Sequence, residues 1–327
     1  MRSIAHKWLQ EGLRDRCITR DLDWGVPVPK PGYGDKVFYV WFDAPIAYIA
    51  AALESREDWR DWWQADDVTY LQFLAKDNIP FHAISFPATL LGAGLPFKLV
   101  DVIKGFNWLT YEGGKFSTSQ QRGIFTDAAL DWCSADYWRW WLAANAPEGG
   151  DTDFTVERFI DGVNKDLADI FGNLVNRCLS FAASRFESTV PPHGEPGPLE
   201  RKLASDLDAH LTRLRAHHES LAFRKAAEET RAIWKLANVY LSEAAPWSVI
   251  GHDRERAATI VNTAIGLVRV ATQVAWPFIP FAAGQVLDSL GERVAWPQGI
   301  DAVPAGRRFC VPPVLFPRLS PSPRGVL

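Results

Sequence analysis

Apolar positions follow two rhythms along this chain. Up to about Asp127, short β-branched and aromatic runs alternate with short helical stretches; beyond it, apolar residues recur at helical spacing with few breaks. Residues 1–24 read as a helix followed by a turn into an extended segment, and VPVPKPGYGDK as a proline- and glycine-rich loop. KVFYVWF (Lys36–Phe42) has the length and composition of a strand. Asp43, Ala44 and Pro45 then lead into the helical stretch AYIAAALES, with the proline where a helix start tolerates it. TYLQFLAKD (Thr69–Asp77) predicts a second strand and its exit loop, ISFPATLLGAG a helix ended by glycines, and FKLVDVIKG a third strand. Such alternation needs crossover helices and implies a parallel sheet, which binds ligands outside the carboxyl ends of its strands. Asp43–Tyr48 and Lys76–His82 fall at those ends.

In the second part, ALDWCSADYWRWWLAANAPEG reads as helical up to Pro147. Leu203, Leu207, Leu211, Leu214 and Leu221 share one helical face, and Ile233, Trp234, Ala237, Tyr240, Leu241 and Ala244 another that ends before Pro246. Residues 253–275 predict a further amphipathic helix, and Val190–Pro198 a loop. After about Arg307 prolines are too frequent for helix, and Ser320–Leu327 is expected to be loose. No internal repeat is visible. The fold class expected is α/β followed by all-α.

Composition narrows the function classes. The 327 residues carry a net charge of -4, which argues against indiscriminate nucleic-acid binding but leaves room for local contacts to a folded RNA. Fifteen tryptophans are many, and most are expected in the core. Cys17, Cys133, Cys178 and Cys310 are far apart with no CxxC pair, so neither a disulfide framework nor a zinc site is expected. No apolar run reaches the roughly 18 residues of a membrane span, and MRSIAHKWLQEG lacks the apolar core of a signal peptide. A cytoplasmic location is expected.

Three segments carry candidate chemistry. In VWFDAPIAY (Val40–Tyr48), Trp41 and Tyr48 with the small Ala44 and Ala47 can build an apolar pocket suited to a thioether, because sulfur packs well on aromatic edges. In AKDNIPFH (Ala75–His82), Asp77 can accept hydrogen bonds from ribose hydroxyls and His82 can donate to a polar group of a small ligand. In YEGGKFSTSQQRG (Tyr111–Gly123), two glycines, Lys115 and three hydroxyl residues make a loop able to approach phosphates.

In this order and spacing, the three segments resemble the second half of a class I aminoacyl-tRNA synthetase of the methionyl branch. That family carries V-W-x-D-A-P-x-x-Y, G-K-D-x-x-x-F-H and a Lys-Met-Ser-Lys-Ser loop. The resemblance implies the second half of a Rossmann-like parallel nucleotide-binding fold (1–108), a loop and stem-contact region (109–154), an anticodon-binding helix bundle (155–300) and a carboxyl-terminal tail (301–327). It implies a methionine pocket of Trp41, Ala44, Pro45, Tyr48, Ile79, Phe81 and His82. Asp77 would hold the adenylate ribose, Lys115 and Thr118 would meet ATP with its Mg2+, and Lys115, Ser117 and Ser119 would act in catalysis. DTDFTVERFIDGVN, FGNLVNR and AAPW (Ala244–Trp247) resemble the family's anticodon-binding segments, which assigns Asn176, Arg177 and Trp247 to a methionine-type tRNA.

The chain departs from the family in three places. It has no His-Ile-Gly-His motif and no zinc-bearing insertion, so a half nucleotide fold with an exposed apolar sheet edge is expected, together with inactivity of the chain alone. Thr118 stands where the second lysine of the loop belongs, and Arg122 can compensate if the loop folds back. Ala75 replaces a glycine, and Asn78 adds a polar group near the pocket. These departures leave open a non-catalytic tRNA-binding paralogue, one half of a split enzyme whose other chain carries the missing motif, or a paralogue that activates another amino acid.

Overall fold

The computed structural model describes residues 2–320. They form two compact units. One runs to Trp108 and takes in Pro147–Asp151; the other comprises Leu109–Ala146 and the chain from Thr152 on.

The first unit begins with α1 (Arg2–Gln10), followed by β1 (Thr19–Arg20) and β2 (Val37–Phe38), which pair antiparallel. The expected strand Lys36–Phe42 is therefore only two residues long. At Val40 the chain turns helical: α2 (Val40–Asp43) passes through a 3-10 turn, Ala44–Ile46, into α3 (Ala47–Ser55). A short, continuously apolar run has no periodicity that separates strand from helix, and no neighbouring strand pairs with it beyond Phe38. Trp41 thus projects from a helical turn. After α4 (Trp59–Trp63) come β3 (Leu71–Ala75), a π-helical turn at Phe81–Ser85, α5 (Phe86–Gly92) and β4 (Val102–Phe106). β3 and β4 run parallel, from Leu71 opposite Val102 to Ala75 opposite Phe106. The expected three-strand alternation reduces to this one β-α-β crossover, because β2 lies outside the parallel sheet.

The core of this unit is small: Ile49, Trp63, Phe86 and Leu90, with Trp59, Tyr70 and Phe97 around them. Leu71 (39%) and Phe73 (52%) alternate outward on β3, and Trp24 is 90% exposed. Apolar side chains are thus exposed on one face of the β3–β4 sheet.

The second unit opens with β5 (Leu109–Tyr111), parallel to β6 (Thr152–Phe154), with α6 (Thr126–Trp132) and α7 (Ala135–Ala144) between them. Then come α8 (Val156–Val163), a π-helical segment at Asn164–Gly172, and α9 (Asn173–Phe186). The rest is α10 (Pro198–Glu219), α11 (Phe223–Ala244), the short α12 (Pro246–Val249), α13 (Arg254–Ala275) and α14 (Pro280–Leu290). One core joins them. Trp234 packs at a tilt against Trp140 (4.6 Å) and Phe171 (5.0 Å), and its indole N–H donates to the Ala271 carbonyl at 3.0 Å. α13 corrects the reading that no stretch could span a membrane: it is long and apolar enough, but 89% of that stretch is buried, as a core helix requires.

The tail is extended and firmly docked. Tyr137 donates to the Pro317 carbonyl (2.7 Å), Phe316 packs edge-on against Tyr137, and Asn164 exchanges two hydrogen bonds with the Leu319 backbone (2.8 and 2.7 Å). The expectation of a loose Ser320–Leu327 falls almost wholly outside the described residues.

Candidate functional site: an aromatic pocket, a phosphate-type loop and an exposed tryptophan

In the first unit, α2, α3 and the π turn bring four sequence-predicted residues together. The Trp41 and Phe81 rings stack at 4.9 Å and 16°. Tyr48 reaches His82, with Oη 3.0 Å from Nε2, while His82 Nδ1 lies 2.9 Å from the Asn78 carbonyl. A carbonyl only accepts, so Nδ1 carries a proton; in the neutral ring Nε2 then accepts from the Tyr48 hydroxyl. His82 is 3% exposed, and Ile79 and Pro45 are also buried. The cluster is therefore aromatic and held by an imidazole fixed at both nitrogens. The widened π turn allows Phe81 and His82, adjacent in sequence, to serve two different contacts; such bulges often mark functional positions.

Ala44 lies elsewhere. With Arg20, Trp24, Val40, Asp43 and Ala47 it lines an open cavity of about 790 Å³ on the other face of α2 and α3. One carboxylate oxygen of Asp43 is buried there with no partner among the described residues, an orphan acceptor of the kind native proteins rarely leave. Asp77 sits exposed in the 3-10 turn at the carboxyl end of β3, where ligands meet parallel sheets. Its neighbour Lys76 pairs with Asp151 at 2.9 Å. Sequence reasoning missed Arg16, whose guanidinium lies over Phe81 (5.2 Å) and over Trp8 (5.5 Å). No local pattern points to it, because the contact is made only in the fold.

In the second unit, the Tyr111–Gly123 loop is a small hairpin. Ser117 and Arg122 exchange both backbone hydrogen bonds (2.9 and 2.8 Å) and close a turn of Thr118–Gln121. Ser117 Oγ lies 3.3 Å from Ser119 Oγ and accepts from the Gln120 N–H at 3.3 Å. At its base, Asp153 accepts from the Thr110 hydroxyl (2.6 Å) and the Gly113 N–H (2.8 Å); these bonds hold its carboxyl below the usual carboxylate range. Lys115 and Thr118 are exposed.

Farther along the same unit, α9 and α12 bring Arg177 and Trp247 together, with the guanidinium 5.3 Å over the indole. Phe181 meets Trp247 edge-on at 6.3 Å. Trp247 is 44% exposed, so part of its face is open to a stacking partner. Ala245 ends α11 in a left-handed conformation (φ 39°), and Pro246 opens α12, which swings Trp247 out at the first turn. Asn176 is exposed, its amide oxygen accepting from Ser180 Oγ at 3.1 Å. Asn173, overlooked in the sequence, lies one turn before Arg177 on the same helical face and lines a groove of about 410 Å³ with Asn176 and Pro312–Arg318. The i, i+4 spacing to Arg177 was the available signal.

Comparison with known proteins decides the family. A family model described as "tRNA synthetases class I (M)" matches residues 1–179, and one described as "Anticodon binding domain of methionyl tRNA ligase" matches residues 190–324. The chain belongs to the class I tRNA synthetases of the methionyl type. It is 52% identical to the methionine–tRNA ligase of Caulobacter vibrioides (strain NA1000 / CB15N) over 97% of this chain and 60% of that protein. To the methionine–tRNA ligase of Maricaulis maris it is 51% identical, over 97% and 59%. The Mycobacterium tuberculosis methionyl-tRNA synthetase in complex with methionyl-adenylate superposes with a TM-score of 0.84 at 31% identity, covering 97% of this chain and 63% of that one. The chain thus spans about three fifths of the curated relatives it matches. The synthetase architecture, part of a class I catalytic fold followed by a helical anticodon-binding domain, agrees with the α/β-then-α reading. Arg177, Asn173 and Asn176 fall within the region matched as class I synthetase, and Trp247 within the anticodon domain.

Proposed function

We propose that this chain is the carboxyl-terminal portion of a methionine–tRNA ligase. The aromatic cluster of Trp41, Phe81, Tyr48 and His82 carries this reading, because it joins a thioether-compatible surface to a fixed polar group beyond the carboxyl end of β3. Residues 1–108 form the second half of the nucleotide fold, 109–154 the loop and stem-contact region, 155–300 the anticodon bundle and 301–327 the tail. Pro45 and Ile79 complete the methionine site, and Ala44, on the other face, lines the open cavity instead.

The reaction needs positioning and charge stabilisation more than proton transfer. The methionine carboxylate attacks the α-phosphorus of ATP; the bond to the β-phosphate breaks, giving methionyl-adenylate and pyrophosphate. A terminal hydroxyl of tRNA then attacks the adenylate carbonyl and releases AMP. Asp77 holds the ribose, while Lys115, Ser117, Thr118 and Ser119 meet the phosphates, which arrive with Mg2+. Asn176, Arg177 and Trp247 read the anticodon of a methionine-type tRNA, and the cytoplasm is the proposed place of work.

The test is ATP–pyrophosphate exchange over a panel of amino acids, with the chain alone and with the region of the Caulobacter relative that this chain does not match. The completed protein exchanges with methionine, and the chain alone does not. Exchange by the chain alone refutes the need for the remainder; exchange with another amino acid in preference to methionine refutes the pocket assignment. A second reading, a tRNA-binding protein without catalysis, draws on Thr118 in place of the loop's second lysine, and it predicts anticodon-dependent tRNA binding with no exchange in either form.

A further inference from the structure

The hairpin sorts its side chains onto two faces. Residues alternate along extended strands, and a directly paired residue shares its partner's face. Phe116 and Gly123 occupy one face. Phe116 packs against Tyr111 (5.5 Å) and lies on an apolar shelf that includes Leu109, Ile124, Leu130, Trp138 and Leu142. Gly123 adopts φ +131°, and a Cβ there would stand 2.4 Å from the Phe116 ring. With Phe116 laid down, the opposite face presents Ser117 and its cross-strand partner Arg122, with Lys115 two residues before Ser117.

Arg122 lies across Gly114, where a Cβ would stand 2.4 Å from Nη2, and that one nitrogen donates to the Tyr111 and Glu112 carbonyls, both at 3.0 Å. Among the described residues Nε and Nη1 have no hydrogen-bond partner, and Arg122 forms no ion pair within 4.0 Å. Its charge is exposed, already oriented by the loop's own carbonyls, and retains donors in the fork geometry that suits phosphate. An arriving anion would not have to break the two existing bonds. The nearby Asp153 is occupied by Thr110 and Gly113.

We propose that Arg122 supplies the second cation of the KFSTS loop and binds the polyphosphate of ATP, in the role that Thr118 leaves uncharged. The proposal rests on the reading of this hairpin as the ATP-phosphate loop. Arg122 is then a substrate-binding residue, and Gly114, Gly123 and Phe116 position it.

Calorimetric titration of the 327-residue chain with inorganic tripolyphosphate at fixed low ionic strength tests it, with thermal unfolding recorded for every variant. Loss of a charge-assisted hydrogen bond corresponds to roughly ten- to hundredfold weaker binding for Arg122→Met. Arg122→Lys retains most of the affinity, and adding Thr118→Lys to Arg122→Met restores much of it, because the charge and not the strut is what matters. If Lys115→Met weakens binding while Arg122→Met does not, the role given to Arg122 is overturned and the loop reading survives. If neither substitution changes the titration, or the chain takes up no tripolyphosphate, the loop reading itself fails. If Arg122→Lys is as weak as Arg122→Met and Thr118→Lys restores nothing, Arg122 is a strut and the proposal is wrong.

Discussion

Replacing Trp247 with alanine separates recognition from stability. The ring is 44% exposed, on a four-residue helix at the rim of the bundle, and its recorded partners are the Arg177 guanidinium at 5.3 Å and the Phe181 edge at 6.3 Å. An exposed cation–π contact contributes about 0.5–1 kcal/mol, and an aromatic edge contact about the same. Because Arg177 and Phe181 regain solvent or each other, Trp247→Ala is expected to lower bundle stability by about 1 kcal/mol. Stacking of an unpaired base on an aromatic ring contributes about 1–3 kcal/mol, which corresponds to a roughly five- to 150-fold loss of tRNA affinity. The assay is filter binding of a methionine tRNA transcript and of the same transcript with a changed anticodon, at one salt concentration, beside thermal unfolding. Trp247→Ala should bind both transcripts with nearly equal, weakened affinity while unfolding close to the unsubstituted chain, and Trp247→Phe should retain part of the discrimination. Unchanged discrimination between the transcripts would refute the argument, as would a large loss of stability without a loss of binding.

Three further outcomes follow from the packing. Tyr48→Phe removes the hydroxyl donor to His82 Nε2; since a lost hydrogen bond at a half-open site costs about 1 kcal/mol, the completed protein should show a roughly fivefold rise in the methionine concentration for half-maximal exchange, with no shift in that for ATP. Glu200 is 4% exposed and accepts from Arg256 (2.8 Å), Tyr240 (2.7 Å) and the Gly197 N–H (2.8 Å). Glu200→Ala leaves all three donors uncompensated and should cost about 3 kcal/mol in denaturant unfolding. Burial raises the Glu200 pKa, but the bonds from Arg256 and Tyr240 and the Arg256 charge outweigh it, and the net shift is downward. A carboxyl with a depressed folded pKa stabilises the fold above its unfolded pKa and loses that contribution as pH falls through the folded one, so the gap between the unsubstituted chain and Glu200→Ala should close in the acid range. Asn164→Ala deletes both bonds to Leu319, and hydrogen exchange at the Leu319 amide should accelerate while that of α13 does not.

The long helices were legible because their patterns are local. Leu203, Leu207, Leu211 and Leu214 are all buried on α10, whereas Leu221 falls past its end in a left-handed turn, and Pro246 ends the α11 pattern at the expected place. The motif residues also meet, Trp41 on Phe81 and Tyr48 on His82, because Phe81 and His82 follow Pro80 into one turn. What escaped reading depends on distant partners. The π segment Asn164–Gly172 is held by Asn238 donating to the Ile170 carbonyl, by Arg231 on Asp166 and by the tail on Asn164. Val40–Asp43 becomes helical because no strand is there to pair with it. The face on which Ala44 sits, and the contact of Arg16 with Phe81, are set by the path of the first 40 residues rather than by any spacing.

Whether the completed protein is a methionine–tRNA ligase is decided by charging of a methionine tRNA, with [35S]methionine, ATP and transcripts bearing the methionine anticodon or a substituted one. Methionyl-tRNA is expected on the cognate transcript, with strongly reduced product on the substituted one and loss of product when Trp41 is replaced by alanine. Charging that ignores both the anticodon and Trp41, or a completed protein that binds this tRNA without ever charging it, would contradict the account.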